Sequence, residues 1–176
     1  MTTKEEDLKN FQSEMLAFLE NDGIKYRLFK NRIYHVIVPE SYDVDMKMVN
    51  VGYQFLNENG GGRFFNIFQF SSFSDIKPEM RAWAADETGN SNTYSDAILI
   101  RSLPQKIIAD FYLKINKPKK PTKIFYSLEK ALEWTFLQMK QQEGVKLKPI
   151  QAKYSFALHI RFNVIGRTTY SLSCPN

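Results

Sequence analysis

The chain has 176 residues, 43% hydrophobic, 14% aromatic and 24% charged, a balance that can offset the entropy of ordering one core and excludes general disorder. No apolar run approaches the roughly 20 residues that span a bilayer, the opening MTTKEEDLKN has no signal-peptide regions, and the single Cys174 can close no internal disulfide, so a cytoplasmic protein without thiol chemistry is expected. The net charge of +5 is unevenly placed: all 19 acids lie at or before Glu143, and beyond it stand Lys146, Lys148, Lys153, Arg161 and Arg167, leaving a neutral body with a basic tail.

Residues 4 to 20 repeat Leu8, Phe11, Met15, Phe18 and Leu19 at intervals of three and four, which predicts an amphipathic helix. Thr3 and Glu6 have capping-box spacing before it, and Asn21-Asp22-Gly23 supplies its stop, so residues 1–22 form an N-terminal helical appendage. Strands are expected at 24–29 and 33–38, joined at Lys30-Asn31-Arg32 by a connection of hairpin length. Val44 to Asn57 predicts a helix with Val44, Met48, Val51 and Phe55 inward, stopped at Gly60-Gly61-Gly62. Those glycines are no phosphate loop, which needs a strand before, a helix after and a closing Gly-Lys-Ser/Thr.

Phe64 to Phe70, FFNIFQF, is almost continuously apolar and predicts a strand buried on both faces in the middle of a sheet. Ser71 to Ser74 form a turn into a helix over Asp75–Asp86, with Pro78 in its first turn and Ile76, Met80, Trp83 and Ala84 along one face. Thr88 to Asn92 is a loop, and Asp96 to Ile100 a further buried strand. Ser102 and Gln105 make a second capping box around Pro104, opening a helix that carries Ile107, Ile108, Phe111 and Ile115. Pro118 and Pro121 end that helix and favour extended backbone into a strand at Lys123–Tyr126. Ser127 then caps a last helix with Leu128, Ala131, Leu132, Thr135, Phe136 and Met139 inward. This alternation predicts an α/β layered domain over 23–143 with a mostly parallel sheet.

Residues 144–176 form a basic extension. Tyr154, Phe156, Leu158, Ile160 and Phe162 alternate with smaller or polar residues and a turn lies around Gly166, predicting a β-hairpin. Such a hairpin covers the body, extends the sheet, pairs with another chain or is an accessory without a role of its own.

Chemistry is sparse. His35 and His159 have no acid at ligand spacing, no Gly-X-Ser-X-Gly elbow occurs, and Asp86-Glu87 and Glu129 with Glu133 read as helix-end and solvent-face charges, so no catalytic, metal or cofactor site is expected. Arg81 and Trp83 are residue types that dominate binding surfaces, while the helical spacing of Trp83 also suits a core position. The connector bases Lys114, Lys117, Lys119, Lys120 and Lys123 lack interleaved aromatics and read as a solvated loop rather than a nucleic-acid site.

The run from Asp96 to Trp134, DAILIRSLPQKIIADFYLKINKPKKPTKIFYSLEKALEW, resembles a group of small bacterial proteins, common in Bacteroidetes, of the SpoIIAA-like or STAS fold, that of the anti-sigma-factor antagonists. The resemblance extends over about Tyr26 to Lys140. It implies a sheet of four or five strands with helices packed mainly on one face. In the better understood antagonists, the turn after the third strand carries a hydroxyl that a partner kinase phosphorylates. Here the matching stretch is Ser71, Ser72 and Ser74, with Asp75 and Arg81 beside it, although the antagonist Asp-Ser motif with its following glycine is absent. A phosphate at the mouth of a helix would meet unpaired amides, whereas the plainer reading has Ser72 or Ser74 capping that helix.

The resemblance therefore points to a non-enzymatic regulatory module with a protein partner, a homodimer being one form of it, and with the Ser71–Ser74 turn as its switch. The abundant aromatic residues, 14 Phe and 9 Tyr, support a second expectation, a carrier of a small apolar or lipid ligand. Weak nucleic-acid binding through the basic tail is the third.

Overall fold

A six-stranded mixed sheet organises the computed structural model, which describes residues 14–142. In chain order the elements are β1 (Met15–Asn21), β2 (Ile24–Phe29), β3 (Ile33–Val38), β4 (Asp43–Val44), α1 (Met46–Glu58), β5 (Phe64–Phe70), β6 (Asp75–Ile76), α2 (Pro78–Ala85), α3 (Glu87–Asn90), β7 (Thr93–Leu99), α4 (Leu103–Phe111), a π-helical turn at Tyr112–Asn116, β8 (Thr122–Phe125) and α5 (Leu128–Gln142). The large sheet runs β1-β2-β3-β5-β7-β8, and β4 pairs with β6 separately. β1, β2 and β3 form an antiparallel meander, while β3, β5, β7 and β8 are parallel. The α/β class is as expected; the strand count and the antiparallel half exceed the four or five mostly parallel strands anticipated.

The added strand comes from the predicted N-terminal helix. Met15–Asn21 is an edge strand. Asp22 and Gly23, with φ of 51° and 75°, form the two-residue loop that joins Asn21 to its partner Ile24. Asp-Gly with both residues at positive φ is a type I′ hairpin turn, so the apparent helix stop is a hairpin reversal. Ala17 and Leu19, two residues apart as strand alternation requires, pack toward one core cluster, joined by Leu16 at the register shift between Met15 and Ala17. The rest of that helix, residues 4–13, the tail hairpin of 144–176, His159 and Cys174 lie outside the described residues.

Two further boundaries shift. Asp75 and Ile76 form β6 rather than a first helical turn, and α2 starts at Pro78. The loop at 88–92 contains the end of α3, whose Glu87 N–H is held at 2.7 Å by the Asp86 carboxylate.

Successive parallel strands step across the sheet in one direction. Right-handed crossovers then place their connecting helices on one face, and the packing agrees. Met48 and Phe55 of α1, Met80 of α2 and Tyr112 after α4 share a cluster with Tyr26, Tyr34, Phe64 and Ile98 of the sheet. α1 seats closely because Gly52 faces Tyr34; a Cβ there would stand 2.5 Å from the Tyr34 hydroxyl. The Tyr26 hydroxyl donates to Met48 O at 3.2 Å. On the opposite face α5 lays Ala131 and Leu132 against Phe65, Ile67, Ala97 and Leu99. There Phe65 stacks on Tyr94 at 4.9 Å and Phe125 meets Trp134 at 5.6 Å. β5 thus buries alternate residues on both faces, as its composition predicts.

Candidate functional site

The Ser71–Ser74 turn lies at the carboxyl end of β5, fastened on both sides. Ser71 N–H donates to Val38 O at 3.2 Å and Ser41 N–H to Ser72 O at 3.1 Å. The Gln105 side chain of α4 donates from Nε2 to Ser71 O at 2.6 Å and accepts Arg101 N–H at 2.8 Å. Ser74 is buried, and its hydroxyl donates to Pro39 O at 2.7 Å. Neither Ser72 nor Ser74 caps α2: the residue before the helix is Lys77, without a side-chain cap. Ser74 instead ties two loops together, because a buried hydroxyl is held where an acceptor meets it. Phe73 sits at φ 59° with its ring 82% exposed. Asp75 is exposed and accepts from Ile76 N–H. Arg81 donates from its terminal nitrogen to Ile76 O, with its guanidinium 5.8 Å from the centre of the Phe111 ring.

Three of the five predicted site residues, Ser74, Asp75 and Arg81, line a cavity of about 130 Å³ between the sheet and α1, α2 and α4. Its walls are apolar, with Met48, Phe68, Ile98 and Ile108 among them, and its polar lining includes Asp96, Gln105 and Tyr112. Asp96 is the centre of a buried network. One carboxylate oxygen accepts from Asn66 Nδ2 at 3.0 Å, and the other pairs with Lys120 Nζ at 2.9 Å, both side chains being 6% exposed. Asn66 also donates to the Thr93 hydroxyl, and Lys120 to Gly89 O. The Tyr112 hydroxyl is buried and meets no protein partner. Burial first, then the Asp96 charge, pushes the Tyr112 and Tyr53 hydroxyls above their ordinary pKa, so both stay protonated.

Of the apolar residues expected on this helix, α4, Ile108 is half-buried and lines the cavity, while the others face away from the sheet. Gln105, Ala109 and Tyr112 face inward. Leu103, Ile107, Phe111 and Ile115 point outward, at 70%, 63%, 49% and 62% exposure. At four-residue intervals they make one continuous stripe. Arg101, Lys114 and Lys117 are exposed around it, and the acid within α4, Asp110, is paired with Lys106.

Two other expectations are refined. His35 is fully buried, its Nε2 3.0 Å from Gln69 Oε1 and its Nδ1 without a partner. Burial lowers its pKa to about 4, against the smaller opposing effect of the Gln69 bond. Trp83 is half-buried and tilts against Tyr53 at 6.1 Å. Among the described residues, no group of three His, Cys, Asp or Glu is arranged to hold a metal, and no helix is long and apolar enough to cross a membrane.

A family profile described as "Domain of unknown function (DUF7793)" matches residues 26–138. The chain belongs to this family. Comparison with curated proteins and with solved structures returns no match. The DUF7793 match begins in β2 and ends in α5, so it takes in the turn, the cavity, the Asp96–Lys120 pair and α4.

Reading residues along the sequence missed Lys120, which falls inside the lysine connector of this DUF7793 domain. Lys119 next to it behaves as that reading expects, pairing with Glu87 at 2.6 Å in the open. The available signal was Asp96, an acid at the head of an apolar strand. A buried carboxylate requires a partner, and the Pro118–Pro121 connector ends against β7, where Asp96 N–H donates to Pro121 O at 2.9 Å.

Proposed function

We propose that this protein is a non-enzymatic interaction module of STAS-like type that docks a partner protein on the outer stripe of α4, with the Ser71–Ser74 turn as the place where docking is modulated. The observation that carries the reading is the exposed apolar stripe along α4 and the π-helical turn that continues it. Four large apolar side chains face outward from a helix that buries a glutamine, an alanine and a tyrosine. Leaving such a continuous stripe in water is unfavourable by about 25 cal/mol per Å² relative to covering it.

The basic surround of Arg101, Lys114 and Lys117 selects the occupant: an amphipathic helix with acidic flanks, whose own apolar residues recur at the same spacing. The unreversed strand order, with three crossover helices on one face, supports the STAS-like reading. The turn is coupled to the stripe because Gln105, which binds Ser71 O, stands on the same helix. A phosphate on the half-exposed Ser72 adds charge beside that joint.

A photo-crosslinking amino acid placed at Ile107 or Ile115 in the native cell tests this, with Glu129 on α5 as the control position. The expected result is a covalent adduct with one acidic protein from both stripe positions, absent from the control and abolished by Phe111→Asp. Adducts only with lipid, only with copies of this chain, or no more than at Glu129 would reject the proposed occupant. Ser72→Asp is expected to weaken the adduct, and an unchanged yield removes the switch.

A further inference from the structure

We propose that the cavity behind α4 is a binding site for a small, uncharged, largely apolar molecule bearing one hydrogen-bond acceptor. This goes beyond the docking reading and uses the opposite side of the helix. At about 130 Å³ the cavity has room for roughly one six-membered ring or a branched chain of similar bulk, since an apolar cavity of about 150 Å³ binds benzene. A lipid acyl chain is too large, which narrows the class of apolar ligand to compact molecules.

The polar requirement comes from Tyr112. Its side chain is 6% exposed, lines the cavity, and has a hydroxyl that no protein group satisfies. An orphaned buried hydroxyl is costly, and a ligand oxygen removes that cost. Being held in its protonated form, the hydroxyl donates. The ligand's matching group is therefore a carbonyl or ether oxygen.

Charge at the cavity floor excludes an ionised ligand group there. Asp96 is already neutralised by Lys120 and bonded by Asn66, so an added carboxylate or ammonium would face a closed ion pair in a setting that hydrates it poorly. Arg81 at the more open side has its Nε buried without a partner, a second donor for an oxygen reaching outward. The half-exposed Ile76, Arg81 and Ile108 mark that open side, beside the Ser71–Ser74 turn.

The experiment uses the full chain, two-dimensional amide NMR, and two probes of the same shape: cyclohexanone, which carries the acceptor, and methylenecyclohexane, which does not. Cyclohexanone is expected to shift amides of α4 and β7 saturably, with a Kd about tenfold lower than that of methylenecyclohexane, the ratio one hydrogen bond supplies. Tyr112→Phe is expected to reverse the order, cyclohexanone binding more weakly than methylenecyclohexane because its carbonyl is then buried without a donor, and Ala109→Leu, which fills the cavity, to bind neither. Ile107→Asp on the outer stripe should bind both as the wild type does, so failure of the docking reading and failure of this one are separable. Probe binding undiminished in Ala109→Leu, a cyclohexanone preference that survives Tyr112→Phe, or no saturable shift in the wild type would each overturn the proposal. If Ala109→Leu does not fold, the Tyr112→Phe comparison decides alone.

Discussion

The two faces of the sheet are covered by the same kinds of residue and packed in opposite ways. Under α5, Phe65, Ile67, Leu99 and Leu132 close with aromatic pairs into a tight layer. Under α1, α2 and α4, a comparably apolar layer encloses a cavity and an ion pair. The single long helix follows the sheet continuously. Three shorter ones, of which α2 has only 8 residues, leave space between them and the sheet, and the chain places Asp96, Gln105 and Tyr112 around it. A face assembled from several short helices can house a site more readily than a face under one helix.

The largest test of this contrast is Lys120→Met, which leaves the buried Asp96 side chain without its ion-pair partner. It is expected to lower the unfolding free energy by about 3–5 kcal/mol, while Lys119→Met, breaking an exposed pair, changes it by less than about 1 kcal/mol. Urea denaturation of the two variants measures the difference. Equal small losses would mean that the ion pair does not organise the three-helix face.

A second test concerns His35, on the sheet's other side. Its folded pKa of about 4 lies below the ordinary value of 6.5, so the unfolded chain takes up the proton first. The neutral histidine's contribution is fully present above pH 6.5 and is lost as the pH falls toward 4, in total about 3 kcal/mol. Stability curves at stepped pH should show that slope in the wild type and lack it in His35→Phe. An identical slope in both would assign it to other groups.

The smallest effect sharpens the comparison most directly. Ala131, on the inner side of α5, is fully buried, and Ala131→Leu should cost about 1–3 kcal/mol through overpacking. Ala109→Leu, on the cavity side, should cost less than about 1 kcal/mol because the added carbons enter existing space. Thermal melts that rank the two the other way would show that the three-helix face is the more tightly filled.

Local rules made much of the fold legible. The apolar β5 was recognisable as a central strand, and Ser102 and Ser127 accept the N–H groups of Gln105 and Lys130 as cap spacing predicts. Asn21-Asp22-Gly23 was not decidable locally, because the same residues end a helix or turn a hairpin, and pairing with β2 chose the hairpin. α4 was undecided in a different way. Periodicity marks an apolar side of a helix but not what covers it, and here the sheet takes the opposite side. Of the predicted site, Ser74, Asp75 and Arg81 do line a recess. Lys120 and Tyr112 escaped because their significance rests on contacts with Asp96 or the lack of a contact, which emerge only in three dimensions.

The strand order β1-β2-β3-β5-β7-β8 never doubles back. In sheets wound both ways from a middle strand, two crossovers part company at the reversal, and their divergence opens a ready-made crevice at the carboxyl ends of the strands. A sheet wound in one direction has no such fork. Whatever recess it offers must come from the spacing of neighbouring helices, so helix lengths and the residues at their contacts, rather than the topology, govern how large that recess is.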